Sequence, residues 1–273
     1  MKAIVTVSVC KMYDAPTRET TVVDEVLFGM AVELLEEVKP GWYNIRTHYR
    51  YEGIVAAEDL LVDETAVALW ESLPKVVVRN KNHCDVLSVP KVQGWHLANL
   101  TRGCLVSPVG EKDGGYQKVQ LPDGRQGYIQ ASILDTYYAE PASADEETLR
   151  RMLVEAAKLY QGTHYRWGGK SPEGIDCSGL CSMAYMLCGV LIYRDAKIVE
   201  GFPMRQIPLE NIKPGDLLFF PGHVAMYIGD DRYIHSTGKS GSDGVVFNSL
   251  NPAHADYRAD LKEKITQVGS YFS

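Results

Sequence analysis

Apolar and polar residues alternate at the start of the chain, Met1-Lys2-Ala3-Ile4-Val5-Thr6-Val7-Ser8-Val9, and short runs of the same two-residue period fill its first half. That is the pattern of half-buried strands. Turn residues separate the runs, among them Lys39-Pro40-Gly41 and Pro122-Asp123-Gly124. The pattern also repeats. At an offset of 74 residues Gly29 falls on Gly103, Trp42 on Tyr116, Ile45 on Val119, Gly53 on Gly127, Val55 on Ile129 and Leu60 on Leu134. One architecture, a small β-barrel, is therefore expected twice. Between the copies, residues 66–73 read as a short helical connector.

The period changes in the second half. A helix is expected over 145–161, with Ser143 as its N-cap and Glu146 three residues on, and a second over 177–189. From Asp216 onward the chain reads as antiparallel strands, which makes this half α+β. The expected division is 1–63 and 77–138 for the barrels, 64–76 for the connector and 139–273 for the α+β domain.

Composition narrows the function. Of 273 residues 45% are hydrophobic and 10% aromatic, enough for a sizeable core in each of two or three domains. Lys plus Arg number 28 against 35 Asp plus Glu, a net charge of −7, which argues against nucleic acid or anionic lipid as partners. Lys11, Asp14, Arg18 and Glu19 follow the first strand where a leader would carry an apolar core, and no long apolar run occurs, so a cytoplasmic protein, or one whose signal has been removed, with no membrane partner is expected. The six cysteines, at 10, 84, 104, 177, 181 and 188, have no disulfide-framework spacing and read as reduced thiols.

Chemistry concentrates around one of them. Cys177 stands where the glycine-rich stretch Tyr165-Arg166-Trp167-Gly168-Gly169 and then Gly174-Ile175-Asp176 turns into an apolar helix. Unpaired N–H groups and the helix dipole at such a start favour thiolate, and a pKa lowered to roughly 3.5–7.5 is expected. A nucleophilic thiol needs a base and a group to orient it. His223 and His235 supply both on the two arms of a hairpin turning at Gly229-Asp230-Asp231-Arg232, with both imidazoles on one face. Asp176 is expected to stabilise the helix start and to join the substrate-binding residues, Ser178 to hold a substrate carboxylate, and Tyr165 and Trp167 to wall the pocket. Cys181 and Cys188 read as core thiols and no metal site is expected. His48, His83, His96 and His254 read as loop or surface residues, and His164 stays open.

These residues resemble the NlpC-type cysteine peptidases of bacterial cell-wall metabolism. The resemblance rests on Y-R-W-G-G, G-I-D-C-S-G-L, K-P-G-D-L-L-F-F, G-H-V-A-M-Y-I-G and Y-I-H-S, in that order, from about residue 145 to the end. The two repeats resemble bacterial SH3-like domains through Trp42-Tyr43-Asn44-Ile45 with Tyr51-Glu52-Gly53-Ile54-Val55, and more distantly Arg125-Gln126-Gly127-Tyr128-Ile129. The resemblance implies two SH3-like β-barrels followed by an α+β papain-like peptidase domain that needs no cofactor. It also implies hydrolysis of γ-D-glutamyl-L-diamino acid bonds in murein peptides such as L-Ala-γ-D-Glu-diamino acid. Tyr165 would then add an oxyanion contact, and Asp195, joined by Glu19 and Tyr51, would bind the free amine of the N-terminal L-alanine. A serine often follows that aspartate in the family, where this chain has Ala196. Two other readings stand beside this one: a wall-cleaving peptidase or amidase without the free-amine requirement, and a catalytically silent wall-binding protein.

Overall fold

The computed structural model describes residues 1–272, which divide into two compact units, one over Met1–Tyr137 and one from Tyr138 onward. In the first unit the strands are β1 (Lys2–Val5), β2 (Val9–Tyr13), β3 (Val22–Leu27), β4 (Ala31–Lys39), β5 (Trp42–Thr47), β6 (Glu52–Ala56) and β7 (Leu60–Leu61). A helix, α1 (Glu64–Ser72), follows. The second set is β8 (Val76–Val78), β9 (His83–Leu87), β10 (His96–Thr101), β11 (Leu105–Pro108), β12 (Tyr116–Gln120), β13 (Gln126–Gln130) and β14 (Leu134–Thr136).

The repeat seen in the sequence is a repeat of topology. One seven-stranded sheet has the order β3-β2-β6-β5-β4-β1-β7 and the other β10-β9-β13-β12-β11-β8-β14, the same path strand for strand. A 3-10 turn occupies the same place in each, Ala57–Asp59 and Ala131–Ile133. The order is open, ending on β3 and β7 in one copy and on β10 and β14 in the other, where closed barrels were expected. Gly29 explains one matched pair. Its φ is +80°, and a Cβ there would lie 2.4 Å from the carbonyl oxygen of Leu105, so only glycine lets the second sheet come this close. The connector α1 begins at Glu64, where Asp63 accepts from the Ala66 N–H, and buries Trp70 with Ile4 and Val67 while the indole N–H bonds the Gly29 carbonyl at 2.8 Å.

The second unit holds α2 (Glu146–Lys158), the short strands β15 (Lys170–Ser171) and β16 (Gly174–Ile175), and α3 (Cys177–Met186). It continues with β17 (Arg205–Ile207), β18 (Leu217–Phe220), β19 (His223–Gly229), β20 (Arg232–Thr237), β21 (Gly244–Ser249), α4 (Ala259–Lys262) and β22 (Gln267–Ser270). Its six-stranded sheet has the order β17-β22-β18-β19-β20-β21, and the edge strand β17 precedes the point where strands were expected to begin. Both helices stop earlier than expected. Gly162, at φ +80°, follows the last turn after α2, and Gly189, at φ +77°, follows α3. The N-cap of α2 is Asp145, which accepts from the Thr148 N–H at 2.8 Å, and not Ser143, whose hydroxyl instead accepts from the Asp145 N–H.

The Lys213-Pro214-Gly215-Asp216 turn ties helices to sheet. The buried carboxylate of Asp216 accepts from the Lys213 N–H at 2.8 Å and from Arg150 of α2 at 2.9 Å, and Tyr185 of α3 donates to the Gly215 carbonyl at 2.6 Å. All ten residues of α3 are buried. This fixes the helix that carries Cys177 in the middle of the unit, with its first turn at the sheet.

Candidate active site

The start of α3 is held by two buried charges. Asp176 caps the helix, its carboxylate accepting from the Gly179 N–H at 2.6 Å and from the Gly168 N–H at 2.9 Å. Arg194, only 1% exposed, faces it with both guanidinium arms, each 3.1 Å from a carboxylate oxygen, and also donates to the Ser178 hydroxyl at 2.8 Å. Both oxygens of Asp176 are thus engaged within the protein, so its part is to position the helix start; the substrate contact expected of it has no oxygen to spare. Arg194 was not anticipated. The acidic residue beside Cys177 asks for a buried cation, and only the fold brings Arg194 to it. Gly179 permits the approach of the glycine-rich loop, because a Cβ there would stand 2.1 Å from the Gly169 carbonyl oxygen.

Cys177 is buried, and the backbone N–H groups of Val224 and Ser178 are near enough to its sulfur to favour the thiolate. Val224 follows His223, so the thiol lies against the first residues of β19. Burial pushes the thiol up to about 11, the charge of Asp176 adds to this, and the two N–H groups oppose it. The expectation of a lowered thiol pKa therefore fails: the helix start is present, but desolvation and the neighbouring carboxylate outweigh it.

Asp230 and Asp231, both at positive φ, make the tight turn between β19 and β20. The register, with Met226 across from Ile234, sets His223 and His235 diagonally on one face. Their rings meet edge to face at 5.0 Å, and His223 Nε2 is 2.7 Å from His235 Nδ1. His235 is wholly buried, and its Nε2 lies 2.9 Å from Asn248 Oδ1 on β21. Asn248 is a second residue that sequence reasoning missed. Burial pulls His223 down to about 3, with the nearby His235 and Arg258 adding to the effect. His235 falls to about 4, again chiefly through burial, which the Asn248 bond opposes. The resting pair is thus a neutral thiol and a neutral imidazole.

Tyr165 lies near this pair. Burial raises its phenol to about 12, and the charges of Cys177 and Asp176 act in the same direction. Trp167 is 66% exposed, so its indole projects into solvent where a pocket wall was expected. Beside Ser178 and Val224 lies a small cavity, lined also by Ile192, Phe202 and Met204 and by the charged residues Asp195 and Lys197. Cys181 also lines it, and both Cys181 and Cys188 are buried and in no disulfide. Among the described residues no three His, Cys, Asp or Glu side chains are gathered as a metal would require.

Glu19 and Tyr51 belong to the first unit. Tyr13 pairs with Ile54, so the loop leaving β2, which carries Glu19, and the start of β6, next to Tyr51, lie at the same end of that sheet.

The family model of NlpC/P60 matches residues 162–260. The whole chain is 42% identical to Dipeptidyl-peptidase 6 of Lysinibacillus sphaericus, with 100% of both covered. A stretch of 145 residues, 50% of this chain and 46% of the relative, is 33% identical to the Gamma-D-glutamyl-L-lysine dipeptidyl-peptidase of Bacillus subtilis. The crystal structure of an NlpC/P60 family protein from Bacillus cereus shares the fold over 100% of both chains, with a TM-score of 0.81 at 21% identity. An end-to-end relative at this identity leaves one assignment for the thiol and imidazoles gathered on α3 and the β19–β20 hairpin: the chain belongs to the NlpC/P60 family and is a cysteine peptidase.

Proposed function

We propose that this protein hydrolyses the γ-D-glutamyl-L-diamino acid bond of released murein peptides whose N-terminal L-alanine is free, in the cytoplasm, as a step in reuse of wall material. The observation that carries this reading is the cavity bordered by Ser178, the residue after Cys177, whose lining includes an acid and a base, Asp195 and Lys197. L-Ala-γ-D-Glu presents the complementary pair: an ammonium, and the α-carboxylate that a γ-linkage leaves free. Asp195 takes the ammonium, and Lys197 with the Ser178 hydroxyl takes the carboxylate, a role for Lys197 that offsets the missing hydroxyl at Ala196. The names of the relatives, a dipeptidyl-peptidase and a γ-D-glutamyl-L-lysine dipeptidyl-peptidase, support release of an N-terminal dipeptide.

In this reading the two repeated sheets are SH3-like modules. His223 takes the thiol proton as Cys177 Sγ attacks the γ-carbonyl carbon, with the Cys177 N–H and the Tyr165 hydroxyl facing the oxyanion. The C–N bond then breaks, the leaving amine takes its proton from His223, and water attacks the acyl-enzyme by the same base. The carriers of the reaction are all side chains and backbone of this chain.

The test is kcat/KM for L-Ala-γ-D-Glu-L-Lys and for the meso-diaminopimelate peptide against their N-acetylated forms. Acetylation removes the charge and leaves buried polar groups unpaired, and a loss of roughly 10⁴–10⁵-fold is expected. Equal rates on free and acetylated peptides would overturn the free-amine reading.

A further inference from the structure

The direction of the hydrogen bonds behind the catalytic histidine is set from outside the pair. Asn248 Nδ2 donates to the carbonyl oxygen of Asp256 at 2.9 Å, so it is Oδ1 that faces His235 Nε2. Turning the amide over would oppose its oxygen to a backbone carbonyl, two acceptors with no proton between them. An amide oxygen only accepts, so His235 carries its proton on Nε2. A neutral imidazole has one N–H. Nδ1 of His235 is therefore a lone pair, and the 2.7 Å contact with His223 Nε2 requires the proton of His223 to sit on that Nε2. The remaining nitrogen of His223, Nδ1, is left as the basic one.

We propose that Asn248 is a positioning residue of the catalytic relay: through His235 it selects the tautomer of His223 whose Nδ1 is free to take the Cys177 proton. The backbone carbonyl of Asp256 that anchors it cannot change protonation, so the relay keeps one direction across the working pH range. The inference rests on membership of the cysteine peptidases and is independent of which peptide is cleaved. It also explains how a histidine serves as the third member. An imidazole can donate or accept at either nitrogen, so unlike an asparagine or a carboxylate it needs a further residue to fix its sense.

Nitrogen-15 NMR of the histidine rings in the intact wild-type protein reads the tautomers directly. Protonated Nε2 and bare Nδ1 are expected for both His223 and His235, and a protonated Nδ1 on His235 would overturn the proposal whatever the substrate. Kinetics of two variants then test the role. Asn248→Leu keeps the volume but removes the acceptor, and kcat is expected to fall roughly 10–100-fold with KM within about twofold. Asn248→Asp restores an acceptor with a negative charge, so part of kcat should return and the acid limb of the kcat/KM profile should move to higher pH. A residue that merely held β21 in place would leave that limb where it was. A wild-type kcat and pH profile in Asn248→Leu, or an acid limb unmoved in Asn248→Asp, would overturn the proposal.

Discussion

Arg194 and Asp176 form an ion pair out of reach of water, and removing one partner strands the other. Arg194→Met is expected to lower stability by about 3–5 kcal/mol, read as a shift in the urea midpoint, with activity lost as the start of α3 loosens. Cys177→Ala should abolish turnover with the urea midpoint little changed, and His223→Ala should lose nearly all activity. His235→Asn should retain some, because an orienter is partly replaceable and a base is not. Lys197→Met is expected to raise KM for peptides with a free α-carboxylate and to leave unchanged the KM for analogues amidated at that carboxyl; equal changes for both would remove Lys197 from recognition. The histidines also leave a mark on stability. They sit at about 3 and about 4 in the fold against 6.5 ordinarily, so the unfolded chain binds protons first as pH falls. Stability present above about pH 6.5 should be lost progressively toward pH 3, and the fall should be shallower in His235→Asn. Cys177, His223 and His235 were legible because their signal is local: a thiol at a helix start and histidines in hairpin register. Arg194 and Asn248 were not, since each acts on a partner that only folding brings near. Trp167 was misjudged because the glycines after it report the path of the backbone, not where an indole points.

Helix starts and helix ends were read with different success for a physical reason. A start carries a capping side chain that is visible in sequence, although two candidates stood near α2 and only the structure separates them. Asp145→Ala is expected to cost about 1 kcal/mol by urea denaturation and Ser143→Ala clearly less; the reverse order would return the cap to Ser143. An end depends on where the next segment departs, which is why Leu159–Gln161 and Leu187–Gly189 were counted as helix. Gly179 shows what an element can demand of one position. Gly179→Ala should abolish activity and destabilise the fold, since its methyl would meet the Gly169 carbonyl and drive the glycine-rich loop off α3. The edge strand β17 was invisible for the opposite reason. Three residues of mixed polarity, none of them buried, show no period.

At the scale of the molecule, the duplication was fully legible, because six matched positions at one offset constrain strand order as well as strand content. Closure of the sheets was not, since alternation fixes which face is buried but not which edges meet. One feature of the resting site reaches beyond turnover. A thiol that stays protonated near neutrality is a poor target for iodoacetamide and peroxide, whose reactions require thiolate. Iodoacetamide is therefore expected to inactivate the resting enzyme more slowly than it alkylates a free thiol, read as the rate of activity loss. A peptide-like scaffold that first occupies the cavity and draws the proton to His223 would find the nucleophile uncovered.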